Sequence, residues 1–287
     1  YSASDPLPYP LPGAPHVWLC RVDSVCDGGT WKRYQAMLPE KELSMCHSPP
    51  QPLRRRRAIL SRVLLRTTLS RYARVPPADW NFDRDGFDKP RIAHPTDTSL
   101  AFNMSQSADW IACAVSQDEA VGVDIQYCDP GRDVLRLAAR FFGTDETALL
   151  GALPATGRRD RFYTYWTLKE AWLKTTGRGI SAGLDSIRFE SGENGRLTGH
   201  ADPFDFPAIF WSWQIGKDYQ LALCVHSDRL GSAPLIFQAL PLVDSETITL
   251  IPRYHGAVAP SLGNDGRAGG NKFANKRFFL ASTPHSL

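Results

Sequence analysis

The stretch YWTLKEAWLKTTGRG, residues 165–179, decides how the chain is read. Trp166, Glu170 and Lys174 are spaced by four, so on a helix they stack along one face, while Tyr165, Leu168 and Trp172 form an adjoining apolar stripe. Gly177, just past Lys174, stands where a helix ends on glycine. A solvated Glu-to-Lys pair on a helix surface is worth only about 0.2–0.5 kcal/mol. The flanking aromatics argue for more than that. They shield the Glu170 carboxylate from water, and a shielded carboxylate needs a cation or a metal.

A second acid supplies the expected companion. AVGVDIQ (120–126) alternates, with Val121, Val123 and Ile125 on one face and Gly122, Asp124 and Gln126 on the other. Asp124 is expected to project beside the bare Gly122, which leaves space above the strand. There it can hold a hard cation such as Mg²⁺, which takes one or two protein carboxylates and fills its shell with waters and substrate phosphates. Alone, such an aspartate more often caps a turn; with Glu170 the metal reading gains weight.

Working outward, two segments run in parallel. AILSRVLLRTTLSRY (58–72) is followed by DWNF and then by ADWIACAVS (108–116); RFYTYWTLKEAWLKTTG (161–177) is followed by SIRF and then by KDYQLALCVHS (217–227). Each half reads helix, strand, strand, with an Asp-aromatic pair opening the last strand. This pattern predicts an α+β fold, a pseudodimer of two similar α/β halves with a ligand cleft between them. Residues 1–15 read as a Pro-rich lead-in, 16–118 as the N-terminal half and 119–229 as the C-terminal half with the acids. Residues 230–287 read as an accessory or disordered tail, because APSLGNDGRAGGNKFANK holds too many Gly, Asn and Pro residues for a packed element, although LIFQALPLV and TITLIPRY before it are able to form strands or pack on the surface.

Composition narrows the function. With 43% hydrophobic residues in 287, the chain can bury a real core. Its 33 Lys plus Arg against 30 Asp plus Glu give no global argument for nucleic acid. Six cysteines without a C-x-x-C pair indicate neither a zinc cluster nor a disulfide scaffold and fit reduced thiols in a cytoplasm. The seven histidines show no metal-ligand spacing. No apolar run nears the ~20 residues of a membrane span, and the Pro-rich start lacks a signal-peptide core. A cytoplasmic protein, monomeric and free of membrane, is expected.

AFNMSQSADW (101–110), VGVDIQ (121–126), ARFFGTDE (139–146) and YWTLKEAWLKTTGRGI (165–180) occur in the order and spacing of the Sfp-type 4′-phosphopantetheinyl transferases, and the chain resembles that family over residues 16–229. DKPRI (88–92) resembles its Gly-Lys-Pro strand. The resemblance implies two α+β halves that bind coenzyme A and Mg²⁺ in the cleft. It implies transfer of phosphopantetheine from coenzyme A to a serine of an acyl or peptidyl carrier protein, releasing adenosine 3′,5′-bisphosphate. Asp124 and Glu170 would bind the metal, with Gln126 as third ligand; Glu170 would take the serine proton and Lys174 would meet the pyrophosphate. Arg57, Lys89, Ser105, Gln106 and Lys169 would contact coenzyme A, and Trp166 would orient the helix.

The pattern departs from the family at three places, one of them CHSPPQPLRRRR (46–57), which stands where the family commonly has an aromatic-basic segment that contacts coenzyme A. Gln106 stands where the family has histidine and Gln126 where it often has glutamate, so one charge is lost at each. A non-catalytic coenzyme A or carrier-binding module on the same fold is therefore the alternative reading. A Mg²⁺-dependent pyrophosphate hydrolase and a nucleic-acid binder resting on RRRR (54–57) rank below it.

Overall fold

Strict alternation on the strands builds two sheets that share one apolar interior. The computed structural model describes residues 14–260 apart from 25–26, 85–88, 97, 118, 178–182, 193–195, 202–206, 228–232 and 243. The lead-in before residue 14 and the tail beyond 260 lie outside the described residues. The chain opens with β1 (His16–Arg21), followed by α1 (Gly28–Ala36), α2 (Glu40–His47) and the long α3 (Pro52–Leu69). The hairpins β2 (Asn81–Arg84) with β3 (Pro90–His94) and β4 (Leu100–Ser107) with β5 (Trp110–Gln117) complete the first half.

The second half repeats this order: β6 (Val121–Tyr127), α4 (Val134–Phe141), α5 (Thr144–Ala152), the long α6 (Ala155–Thr176), then β7 (Ile187–Ser191) with β8 (Leu197–Ala201) and β9 (Ala208–Ile215) with β10 (Tyr219–His226). In each half the opening strand pairs antiparallel with the closing one, β1 with β5 and β6 with β10. The repeat legible in the sequence is therefore a repeat of topology. Asp109-Trp110 and Asp218-Tyr219 open the equivalent strands β5 and β10.

Burial follows the alternation. Val17, Leu19, Ala112 and Ala114 of the first half meet Val121, Val123, Ile125, Leu221 and Leu223 of the second in one cluster. The opposite faces take the helices: Trp18, Cys113 and Val115 pack with α3 residues such as Leu60 and Leu64, and Ala222 and Cys224 pack with α6 residues such as Leu168 and Trp172. The order through the molecule is helix, sheet, sheet, helix. Among the described residues no helix is long and apolar enough to cross a membrane.

The expected accessory tail from 230 is corrected over its first part. After β10 come β11 (Leu235–Leu240), β12 (Asp244–Ile248) and β13 (Tyr254–Pro260). β11 adds in parallel to β1 and carries β12, giving the order β12-β11-β1-β5-β4. β13 enters the other sheet between β9 and β8, giving β6-β10-β9-β13-β8-β7. Phe237 shows why this segment belongs to the core: its ring stacks on Trp18 at 4.3 Å between centroids. An apolar strand with an open edge beside it is more stable paired than solvated.

Two features of this packing carry predictions. Gly122 touches α6 so closely that a Cβ there would lie 2.0 Å from Ala171 O and 2.6 Å from Thr175 N. The space expected above the strand is thus filled by the helix backbone. Gly122→Ala should cost about 1–3 kcal/mol or more and lower the thermal midpoint by several degrees; an unchanged midpoint would mean that α6 does not rest on β6 there. The second feature is His16, 4% exposed. Trp18 Nε1 donates to Tyr72 Oη at 2.8 Å, which leaves the Tyr72 proton for His16 Nδ1 at 2.7 Å. Burial lowers the His16 pKa to about 4. The unfolded chain takes up that proton below about pH 6.5 while the folded one does not. Folding stability should therefore be full above that value and fall by about 1.4 kcal/mol per pH unit down to about 4. Denaturant melts of His16→Gln should show a slope shallower by about one proton over that window; an identical slope would refute the buried neutral ring.

Candidate active site

The site forms where the two sheets meet edge to edge. β4 is the last strand of one sheet and β6 the last strand of the other. The outward amides of β6 find no ladder partner, and β4 supplies side chains in place of carbonyls. Val123 N donates to Asn103 Oδ1 at 2.9 Å, Ile125 N to Ser105 Oγ at 3.2 Å and Tyr127 N to Ser107 Oγ at 2.9 Å. Every second residue of β4 takes part, because successive side chains on a strand alternate between faces.

Ser105 joins this seam to the charges. Its hydroxyl donates to Asp124 Oδ1 at 2.8 Å. Lys174 reaches across from α6, donating to the same Oδ1 at 2.7 Å, to Val123 O at 3.0 Å and to Ser105 Oγ at 3.2 Å. The lysine is paired with Asp124 and not with Glu170 one turn before it. Asp124 is 6% exposed. Its second oxygen, Oδ2, is buried with no hydrogen-bond partner. Such an atom costs free energy comparable to a lost charged hydrogen bond.

Glu170 is half-buried on the same side of α6. Burial pushes its pKa up, the neighbouring Asp124 charge adds to the rise and Lys174 opposes it. Raised in this way, the carboxylate is a stronger base than an ordinary glutamate and also a group that gains from a cation. Gln126 lies half-buried two residues beyond Asp124 on the same face of β6. Trp166 packs edge-on against Phe141, with ring centroids 5.7 Å apart, and anchors the helix as expected.

Other expected contacts fall at different places. Lys89 donates its ammonium to Lys174 O at 2.6 Å, so it crosses from the first half to the carboxyl end of α6, where a cation complements the helix dipole. Ser61 on α3 donates to Gln106 Oε1 at 2.9 Å. Arg57 donates to Ala108 O at 3.1 Å, beside the β4–β5 turn. A cleft of about 320 Å³ runs along this wall, lined by Ser61, Arg62, Arg84, Phe102, Ser105 and Gln106 among others. Arg62 was not singled out in the sequence, where it is one of many arginines on α3.

Lys169 requires a correction. It is 0% exposed and its ammonium pairs with Glu146 at 2.8 Å, donates to Leu184 O at 3.0 Å and also bonds Ile187 O. Glu146 in turn accepts from Phe189 N at 2.9 Å. The lysine faces the interior of the second half, where it ties α6 to α5 and β7, and it does not reach the cleft. Adjacent helical residues point about 100° apart, and here Lys169 is turned to the interior while Glu170 stays half-buried on the side of Lys174.

Comparison with known proteins gives the family. Residues 120–224 match the 4′-phosphopantetheinyl transferase superfamily. Residues 27–118 match the N-terminal part of 4′-phosphopantetheinyl transferases. The chain is 37% identical to the 4′-phosphopantetheinyl transferase HetI of Nostoc sp. over 167 residues, 58% of this chain and 70% of that protein. It is 34% identical to the 4′-phosphopantetheinyl transferase psf-1 of Bacillus pumilus over 169 residues, covering 59% and 70%. A 4′-phosphopantetheinyl transferase of Bacillus subtilis is 28% identical over 208 residues, 72% of this chain and 91% of that protein. With both halves matched, and with relatives above 30% identity covered over more than two thirds of their length, the chain belongs to the 4′-phosphopantetheinyl transferase superfamily.

Proposed function

We propose that the chain moves the 4′-phosphopantetheine group of coenzyme A onto a serine of an apo acyl or peptidyl carrier protein and releases adenosine 3′,5′-bisphosphate. Family membership supports the reaction. The observation that carries the assignment of residues is the meeting of Asp124, Glu170 and Lys174 at the seam, with one buried carboxylate oxygen unpartnered.

The chemistry asks for such a site. The serine oxygen forms a bond to the pantetheine-bearing phosphorus, and the bond from that phosphorus to the bridging oxygen breaks. The electron pair leaves with the adenosine bisphosphate. Negative phosphoryl oxygens repel the nucleophile, so the protein must neutralise charge and hold the reacting atoms in line. Glu170 takes the serine proton, and its raised pKa suits it to do so. Lys174 sets positive charge toward the pyrophosphate and the leaving group.

The residues present fit Mg²⁺. Asp124 Oδ2 lacks a partner, and the charged form of Glu170 is disfavoured by burial and by Asp124. A divalent cation answers both conditions, and two carboxylates with waters and phosphates suit Mg²⁺. Asp124 and Glu170 would hold it, with Gln126 as a further ligand through its amide oxygen. When bound, the metal would neutralise and orient the pyrophosphate oxygens. The cleft beside β4 would take coenzyme A, with Arg62, Ser105 and Gln106 along it; Arg57 and Lys89, held on Ala108 O and Lys174 O, would reach it only from its surroundings. Arg62 there offers the cationic charge that Gln106 lacks.

Incubating the chain with an apo carrier protein, coenzyme A and Mg²⁺, and weighing the carrier by intact-mass spectrometry, should give a gain of one phosphopantetheine group that EDTA abolishes. No gain with several carriers, despite measurable coenzyme A binding, would leave a binding module on the same fold. Glu170→Gln should slow transfer by about 100-fold or more with an unchanged thermal midpoint; near-normal turnover would remove Glu170 from the reaction. Arg62→Gln should raise the KM for coenzyme A and leave kcat nearly unchanged; no change in KM would place Arg62 outside the coenzyme A site.

A further inference from the structure

A second cavity with a cationic wall lies away from the seam. It measures about 520 Å³ and opens between α1, the end of α2 and the start of α3, lined by Asp27, Gly28, Trp31, His47, Arg55 and Arg56 among others. Its residues on α3 are Pro52, Arg55, Arg56 and Ile59, whereas Ala58, Ser61, Arg62 and Leu65 of the same helix line the cleft beside β4. One helix thus forms a wall of two separate cavities.

The charge around this cavity is uncompensated. Arg54, Arg55, Arg56 and Arg57 crowd the amino end of α3, whose first turn carries no acid. A helix start already bears about half a positive charge, so cations there are unfavourable. Among the described residues no carboxylate pairs with any of the four. Arg55 donates Nη2 to Pro50 O at 2.8 Å, and Arg56 lies 5.1 Å from the centre of the Trp31 ring. The Nε atoms of both arginines are buried without an acceptor.

A second helix start points into the same space. α1 begins at Gly28, and a Cβ built there would meet nothing within 4 Å. Asp27 is the one acid on the wall, and its Oδ1 is engaged as the cap of α1, accepting from Thr30 N at 2.7 Å. Two guanidinium groups and two helix starts, against one carboxylate and the carboxyl end of α2 at His47, leave the cavity net positive.

We propose that this cavity is a second anion site, taking a small phosphate ester or polyphosphate against Arg55, Arg56 and the amino end of α1. Guanidinium groups meet phosphate oxygens two at a time; since Asp27 already caps the first turn of α1, the arginine pair supplies most of the contacts and the helix start only its field. The volume is that of a small-molecule site and too small for a docked helix. Occupancy relieves the repulsion at the head of α3, and α3 carries Ser61 and Arg62 on its other face. The site does not depend on the transferase reading, since none of its residues lines the seam.

Calorimetric titration of the full chain with sodium pyrophosphate and with adenosine 5′-monophosphate tests this, in wild type and in a Lys174→Gln background that weakens anion binding at the seam. Binding should persist in Lys174→Gln, fall by about tenfold or more with Arg55→Gln/Arg56→Gln, and recover in part with Arg55→Lys/Arg56→Lys. Hydrogen exchange of the wild-type chain with pyrophosphate should show new protection in 27–36 and 52–59. That readout holds even where a variant fails to fold. Absence of binding by either probe at millimolar concentration, affinity indifferent to the arginine pair, or protection confined to 100–107 and 121–127 would overturn the site. Tighter and steeply salt-dependent binding of a single-stranded DNA oligomer would do so as well, assigning the arginines to nucleic acid.

Discussion

Three side-chain hydrogen bonds between β4 and β6 hold the functional part of this molecule together. An edge strand leaves every second amide unsatisfied, and a buried amide without a partner is expensive. Here the two sheets do not fuse into one. Asn103, Ser105 and Ser107 accept from Val123, Ile125 and Tyr127, so the edges are joined at side-chain distance. A backbone ladder would have drawn the strands together; side chains standing in for carbonyls hold them farther apart.

The charges depend on that spacing. Asp124 stands among these bonds, and Ser105 serves both as acceptor for Ile125 N and as donor to Asp124. The carboxylate is therefore fixed by the same hydroxyl that joins the sheets. α6 can bring Glu170 and Lys174 to it because Gly122 lets the helix backbone lie against the strand. Moving any one of these parts would shift the others, since interiors pack too densely to absorb the change locally.

The patterns short in sequence were the ones that could be read. The four-residue spacing on α6, the alternation on β6 and the repeat of helix and strands are local signals with fixed periods. They placed Asp124, Glu170 and Lys174 near one another and gave the two halves. What failed depended on distant partners. Lys169 looks like its neighbour Lys174 until Glu146, Leu184 and Ile187 are seen to enclose it. Lys174 stands one turn from Glu170 in the sequence pattern, but Asp124 on a strand is its partner. LIFQALPLV and TITLIPRY read as able to form strands, but their place in the sheets was not legible, because the pairing with β1 joins residues such as Trp18 and Phe237, more than two hundred positions apart. Asn103 and Ser107 were overlooked, although polar residues at every second place of an otherwise apolar strand were a signal that one edge needed acceptors.

The strands β11 and β13 also break a symmetry. In a duplicated fold, the neighbours β4 and β6 have counterparts in β9 and β1. β13 lies along β9 and β11 along β1, so those two edges are already taken. The position matching Asp124 is Trp18: Asp124 pairs with Ala222, three after Tyr219, and Trp18 pairs with Cys113, three after Trp110. The indole stacks on Phe237 of β11 where the other half holds a carboxylate. Two topologically equivalent places therefore differ in kind: β11 and β13 cover the edges at one of them and leave it apolar, while the other keeps an open seam with a carboxylate in it, so one half contributes charge at this place and the other cohesion.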